Sequence, residues 1–222
     1  NFKEWEGISF PQGAGVFDME RGAAADIQPA FWQTCTSVSR NSWGYITNHD
    51  YKETREIIHD LVDIVSKNGT MLLNIGPKAD GTIPEREQQM LREIGAWLKI
   101  NGESIYGTRP WVKFGEGPTQ SSTGSFSDKS KPKFTAADFR FTTKGKTLYA
   151  IALARPANGT LIVDSLALEE TLTHEKLNVR RVSLLGHKGK LTWKQNSDGL
   201  IVTLPEKAPC ESAVTLKITI AD

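Results

Sequence analysis

The stretch Leu61-Val62-Asp63-Ile64-Val65-Ser66-Lys67-Asn68-Gly69-Thr70-Met71-Leu72-Leu73-Asn74-Ile75-Gly76-Pro77 changes its hydrophobic period in mid-course. On its upstream side Ile57, Ile58, Leu61, Val62, Ile64 and Val65 recur at helical spacing, which gives a helix over roughly 51–67 one buried face. Asn68-Gly69 supplies a left-handed stop. Met71 to Ile75 is then short and almost wholly apolar, which suits a strand covered on both faces, as in a parallel sheet. After a loop, a second helix starts near Pro84, carries Met90, Leu91, Ile94, Trp97 and Leu98, and ends at Asn101-Gly102. Phe31 to Val38 reads as an earlier strand. Strand, helix, strand, helix is the unit of parallel α/β folds, and two such units are too few to close a barrel of eight. The first half therefore reads as the end of something larger.

Past residue 112 the text changes to short β-type runs broken by Gly, Pro, Ser and Asp. Phe139–Thr143 and Thr147–Leu153 flank Lys144-Gly145-Lys146, a hairpin signal. Further runs at Leu161–Val163, Val179–Leu184, Leu191–Trp193, Leu200–Leu204 and Ala213–Ile220 argue for an antiparallel β-sandwich. Gly115 to Pro132, rich in small and polar residues, reads as a mobile loop near the junction. The expected organisation is α/β plus all-β, with domains at 1–111 and 112–222.

Composition narrows the function. The 222 residues carry 27 Lys+Arg against 26 Asp+Glu, so there is no excess of cations to displace counterions from a nucleic acid. No apolar run approaches the ~20 residues of a membrane-spanning helix. Cys35 and Cys210 stand too far apart for a CxxC site. The four histidines, His49, His59, His174 and His187, share no metal-ligand spacing, and no cofactor is expected. No Gly-x-Ser-x-Gly occurs.

Carboxylates beside tryptophans remain. Phe17-Asp18-Met19-Glu20-Arg21-Gly22 precedes the strand that holds Trp32, and Trp43-Gly44-Tyr45 follows the polar run Ser39–Ser42; Trp5 is a third tryptophan in this region. Aromatic platforms beside acids are what sugar chemistry needs: a ring to stack on the apolar side of the sugar and an acid to protonate the glycosidic oxygen. The same residues can also be read as solvated loop charges and core aromatics. Asp18 and Glu20, two apart in an extended segment, put their carboxyls on one side about 6–7 Å apart. A glycosidase holds its two carboxyls on opposite faces of the sugar, so this adjacent pair is not expected to be the catalytic pair.

Phe17–Gly22, Trp32–Ser37 and Ser42–Tyr45, followed by Leu61–Pro77, Asp80–Pro84, Asn101–Trp111 and Phe134–Thr142, are together similar to the carboxyl-terminal part of a family 29 α-L-fucosidase. The blocks are in order, correctly spaced and extend over nearly the whole chain. The resemblance implies the end of a (β/α)8-like barrel followed by a β-sandwich, and a retaining exo-glycosidase that removes terminal α-L-fucose from glycans or glycosides. Within it, Asp-x-Glu-Arg-Gly maps the general acid/base onto Glu20. Trp43 takes the place of an aromatic that packs on the fucose methyl group, and Trp32 is a second candidate substrate contact. Glu20 would have to start protonated, so Arg21 is expected to turn away from it.

The same resemblance puts the nucleophile, in a Trp-x-Asp context, outside this chain, since no Trp-x-Asp occurs here. The expected partners are a fucosylated substrate and the N-terminal half of the same enzyme as a complementing chain; no nucleic acid or membrane partner is expected. The substrate class suggests a periplasmic or secreted protein. The rival reading is a non-catalytic carbohydrate-binding or structural β-sandwich module. Two sequons, at Asn68 and Asn158, read as chance occurrences.

Overall fold

The structure is a computed structural model that describes residues 15–129, 132–168 and 177–221. The chain opening with Trp5, and His174, lie outside the described residues.

The first half contains three parallel strands, β1 (Phe17–Asp18), β2 (Trp32–Ser37) and β3 (Gly69–Asn74), in the order β1-β2-β3. Helix α1 (Thr54–Ser66) connects β2 to β3, and α2 (Glu85–Asn101) follows β3. Helix α1 starts where the Glu56 carboxylate accepts the Glu53 N–H, and it stops at Asn68, whose φ of 70° is the left-handed conformation expected there. The Asn68 amide donates to the Gln28 carbonyl at 2.9 Å, so this sequon side chain is already engaged.

Among the described residues the second half has eight strands. β4 (Arg109–Glu116), β5 (Phe139–Lys144), β6 (Thr147–Ala152), β8 (Val179–Leu184) and β11 (Val214–Ile220) form an antiparallel sheet in the order β4-β5-β6-β11-β8. The smaller sheet is β7-β10-β9, from β7 (Thr160–Val163), β9 (Thr192–Asn196) and β10 (Gly199–Thr203). One core lies between them, with Phe139, Phe141, Leu148, Ala150, Leu216 and Ile218 from the large sheet meeting Leu161, Val163, Leu200 and Val202 from the small one. This is the sandwich that the alternating runs imply.

Strand β6 shows how the halves join. Leu148, Ala150 and Ala152 point into the sandwich, whereas Ile151 and Leu153 point the other way, into a second core with Ile57, Ile58, Val62, Met90, Ile94 and Trp97 of the helices. The Trp97 indole N–H donates to the Ala213 carbonyl at 2.9 Å and seals this contact. Between the halves sits a buried charge cluster. Asp63 on α1 accepts from Lys67 at 2.8 Å and from Arg140 of β5 at 2.5 Å.

Two expectations need correction. Gly115 and Glu116 belong to β4, whose register with β5 shifts between Pro110 and Gly115; the breakers that suggested a loop mark an irregularity inside a strand. The segment after it is not free either. Gly124, Phe126 and Asp128 donate backbone hydrogen bonds to Ala23, Glu20 and Arg21 at 2.9, 2.8 and 3.1 Å, so the junction loop is tied along the segment that follows β1.

Candidate active site

In a parallel sheet, loops after the C-terminal strand ends carry the chemistry. Glu20 stands just past the end of β1, Trp43 lies in the loop after β2, and Asn74 closes β3. The backbone continues beside β2 beyond β1, with Met19 N–H bonded to Gln33 O and Arg21 N–H to Cys35 O at 2.9 and 2.8 Å. Period-two alternation then sorts the side chains. Trp32, Thr34 and Thr36 are buried on the helix side, while Gln33 and Cys35 face the other way with Asp18.

Asp18 is fully occupied on this open face. It accepts from the Gln33 amide at 3.0 Å and from the Cys35 thiol at 2.8 Å. Burial, the Asp18 hydrogen bond and the negative charges of Asp18 and Glu20 push the Cys35 thiol up to about 11. Leu72, paired with Cys35 across the sheet, is 56% exposed, an apolar side chain in mid-strand with no described residue covering it.

Arg21 directs its donors away from Glu20. Its guanidinium donates to the Ser39 carbonyl at 3.0 Å, to Asp128 Oδ2 at 3.2 Å and to the Ser42 carbonyl at 3.4 Å. It also lies under the Trp43 indole, 4.2 Å from the ring centroid. A guanidinium against one face of an indole is attracted by the ring quadrupole and steadies the side chain. The Asn74 amide donates to the Trp43 carbonyl and ties that loop to the end of β3. Trp43 is 37% exposed.

Trp32 belongs elsewhere. Its ring is 2% exposed, packs with Ala24 and Ile64, and donates its indole N–H to the Lys67 carbonyl at 2.9 Å. A Cβ added at Gly69 would stand 2.5 Å from this ring, so Gly69 opens the space it fills. Strand alternation points Trp32 at the helix, which corrects the expectation that it meets substrate. The structure thus brings Arg21 onto Trp43, with Glu20 beside Arg21 in the chain, and leaves Trp32 out.

Beneath Arg21 lies a carboxylate that no local pattern announces. Asp128 accepts from Lys52 Nζ at 2.7 Å as well as from Arg21, and Lys52 also donates to Thr36 Oγ1 at 2.7 Å. Burial alone would raise Asp128, but the two cations outweigh it and hold the carboxyl below its ordinary value. Asp128 and Arg21 are 107 positions apart, and only the folded junction loop brings them together. Among the described residues no group of three or more His, Cys, Asp or Glu is placed to hold a metal ion.

Residues 6–103 match the family profile described as alpha-L-fucosidase, and residues 133–219 match the alpha-L-fucosidase C-terminal domain. The chain belongs to the α-L-fucosidase family. Among fucosidase relatives, human tissue alpha-L-fucosidase is 37% identical over 196 residues, covering 85% of this chain and 37% of the relative. Rat plasma alpha-L-fucosidase is 34% identical over 203 residues, covering 87% and 39%. The chain thus spans less than half the length of the curated fucosidases it matches. Among solved structures, the alpha-L-fucosidase isoenzyme 1 from Paenibacillus thiaminolyticus shares 28% identity and superimposes with a TM-score of 0.69 over 92% of this chain and 45% of that one. The Thermotoga maritima alpha-fucosidase in complex with fucose shares 26%, with a TM-score of 0.68 over 89% and 41%.

Proposed function

We propose that this chain supplies the general acid/base and the sugar platform of a retaining α-L-fucosidase that releases terminal α-L-fucose from glycans or glycosides. On this reading residues 1–111 are the end of a (β/α)8-like barrel and residues 112–222 the C-terminal β-sandwich. An N-terminal portion of the enzyme closes the barrel over the open face that carries Asp18, Cys35 and Leu72, and it contributes the nucleophilic Asp. The substrate class fits a periplasmic or secreted setting.

The observation that carries the reading is the division of labour between neighbours. Arg21 spends its donors on Asp128, Ser39 and Ser42 and supports Trp43, which leaves the Glu20 carboxyl free of its adjacent cation. In the first step the nucleophilic carboxylate bonds to C1 of fucose while Glu20 gives its proton to the departing glycosidic oxygen. In the second step the Glu20 carboxylate takes a proton from water, whose oxygen bonds to C1 and displaces the enzyme carboxylate. The Trp43 indole covers the methyl-bearing side of the sugar.

A carbohydrate-binding module would present a row of exposed aromatics. In the sandwich Phe139, Phe141 and Tyr149 are buried, and its exposed large hydrophobics among the described residues are Val112, Phe126, Ile162 and Leu168. No such row exists among them.

The test is hydrolysis of 4-nitrophenyl α-L-fucoside by this chain together with its N-terminal portion, followed by proton NMR. Fucose released first as the α anomer supports the double displacement; first-formed β anomer overturns it.

A further inference from the structure

We propose that Asp128, in the β4–β5 loop that folds back from the sandwich onto the α/β half, is a positioning residue for the Glu20–Trp43 site, acting through Arg21. The inference rests on the reading of Glu20 as acid/base and Trp43 as sugar platform, and it assigns the loop a part in that chemistry.

Three cross-connections support it. First, the loop runs along the catalytic segment, with alternate N–H groups of Gly124, Phe126 and Asp128 bonded to the carbonyls of Ala23, Glu20 and Arg21. The fit leaves no space: a Cβ on Gly22 would stand 2.1 Å from the Gly124 carbonyl oxygen. Second, Arg21 and Phe126 hold φ of 48° and 58°, left-handed conformations that side chains of their types seldom adopt. The one faces the other across this pairing, and Phe126 N–H bonds the carbonyl of Glu20 itself. Third, Asp128 is the carboxylate between two buried cations, Arg21 and Lys52, with side-chain exposures of 6, 9 and 1% respectively.

The electrostatic consequence is specific. With Asp128 in place, Arg21 is held against the Trp43 ring, its other donors on the carbonyls of the loop that carries this indole. Without that charge, Arg21 and Lys52 repel each other in a site shielded from water, and the nearest carboxylate in sequence to Arg21 is Glu20. A guanidinium swung onto Glu20 favours its ionised form and takes away the proton donor, while Trp43 loses its support. The loop thus couples the seating of the β-sandwich to the proton that the leaving group needs.

The experiment uses the complete enzyme and two variants: Asp128→Asn, and Asp128→Asn combined with Lys52→Met. The second removes one negative and one positive charge together, so the buried charge balance and the fold are retained while Arg21 is still released. Rates are expressed per mole of folded protein, measured by size exclusion and circular dichroism, on 4-nitrophenyl α-L-fucoside and on methyl α-L-fucoside. The nitrophenolate departs with little protonation; methoxide does not.

Both variants are expected to lose about 10-fold or more in kcat/KM on the nitrophenyl substrate and a further ~10-fold on the methyl fucoside. The inference is overturned by kcat/KM within twofold of the parent in the charge-balanced variant. It is equally overturned by equal losses on the two substrates, since loosened packing does not distinguish leaving groups. Glu20→Ala in the otherwise unaltered enzyme separates the two levels. If it leaves hydrolysis intact, the acid/base reading has failed whatever Asp128 does.

Discussion

The Arg21 guanidinium lies 4.2 Å from the centroid of the Trp43 indole, although the two residues stand on different loops. One loop follows β1 and carries Glu20; the other follows β2. On the proposed reading, their contact keeps a cation that would favour ionised Glu20 engaged instead under the Trp43 indole.

Removal of the platform should therefore weaken substrate handling without abolishing chemistry. Trp43→Ala in the complete enzyme is expected to lower kcat/KM on 4-nitrophenyl α-L-fucoside about 10-fold, in line with the ~1 kcal/mol of an aromatic contact plus its buried area. Most of the change should fall in KM. Trp32→Phe removes the hydrogen bond to the Lys67 carbonyl and shrinks a buried ring, so it should cost about 2–4 kcal/mol of stability and leave KM unchanged. Steady-state kinetics and thermal unfolding of the two variants side by side check this.

Gly22 has no room for a side chain. A Cβ there meets the Gly124 carbonyl, a backbone atom that can move only with the junction loop. Gly22→Ala is expected to cost about 1–3 kcal/mol and to expose the 119–129 loop to limited proteolysis. Gly95 on α2 has nothing within contact distance, so Gly95→Ala serves as the control and should be neutral or slightly stabilising.

The Asp63 cluster sets an acid limit on the junction. Burial acts to raise the Asp63 carboxyl, but Arg140 and Lys67 outweigh it and hold it below its ordinary value. A depressed carboxyl contributes stability that is fully present above the unfolded value of ~3.9 and is lost as pH falls through the lower, folded one. Thermal unfolding should therefore show no loss from this group between pH 7 and 5 and a steep loss below about pH 4. Asp63→Asn should cost about 3–5 kcal/mol at pH 7, because Lys67 and Arg140 remain buried without their carboxylate, and it should flatten the acid limb.

Cys35 sits on the open face yet should be a poor nucleophile. With its thiol pushed up to about 11, first by burial and then by Asp18, almost none is thiolate at pH 8. Iodoacetamide should label it slowly, and Asp18→Asn should accelerate labelling several-fold by removing both the hydrogen bond and the charge. Mass spectrometry of the labelled peptide over time provides the measurement.

Much of this was legible in the sequence, for reasons that individual residues show. The α1–β3 boundary could be read because Asn68 adopts the left-handed conformation that its type and its neighbour Gly69 imply. The hairpin at Lys144-Gly145-Lys146 could be read because Gly145 carries a φ of 57° between two alternating strands. Strand β4 was hidden because Pro110 and Gly115 break the local pattern, and only its partner β5 defines it as a strand. Strand β1 was hidden because two residues carry no period.

The site divides in the same way. Glu20 and Trp43 are proposed from their motifs, whereas the choice between platform and core for Trp32 depends on which face of β2 meets the helix. Asp63 and Lys67 are one helical turn apart and can be paired from sequence; Arg140 cannot be added to them. Asp128 lies in a Gly- and Ser-rich stretch that reads as a mobile loop, and its contact with Arg21 exists only where that stretch folds back.

The central claim is tested most directly by Glu20→Ala in the complete enzyme, assayed on methyl and 4-nitrophenyl α-L-fucosides with and without sodium azide. A lost general acid/base should lower kcat/KM on the methyl substrate by about 10²–10⁴ and spare the nitrophenyl substrate by comparison. Azide needs no general base in the second step, so it should raise kcat on the nitrophenyl substrate and yield α-L-fucosyl azide, while the methyl substrate, held up at leaving-group protonation, stays slow. Unimpaired hydrolysis of methyl α-L-fucoside, or turnover of the nitrophenyl substrate that azide does not raise, would contradict the assignment of Glu20.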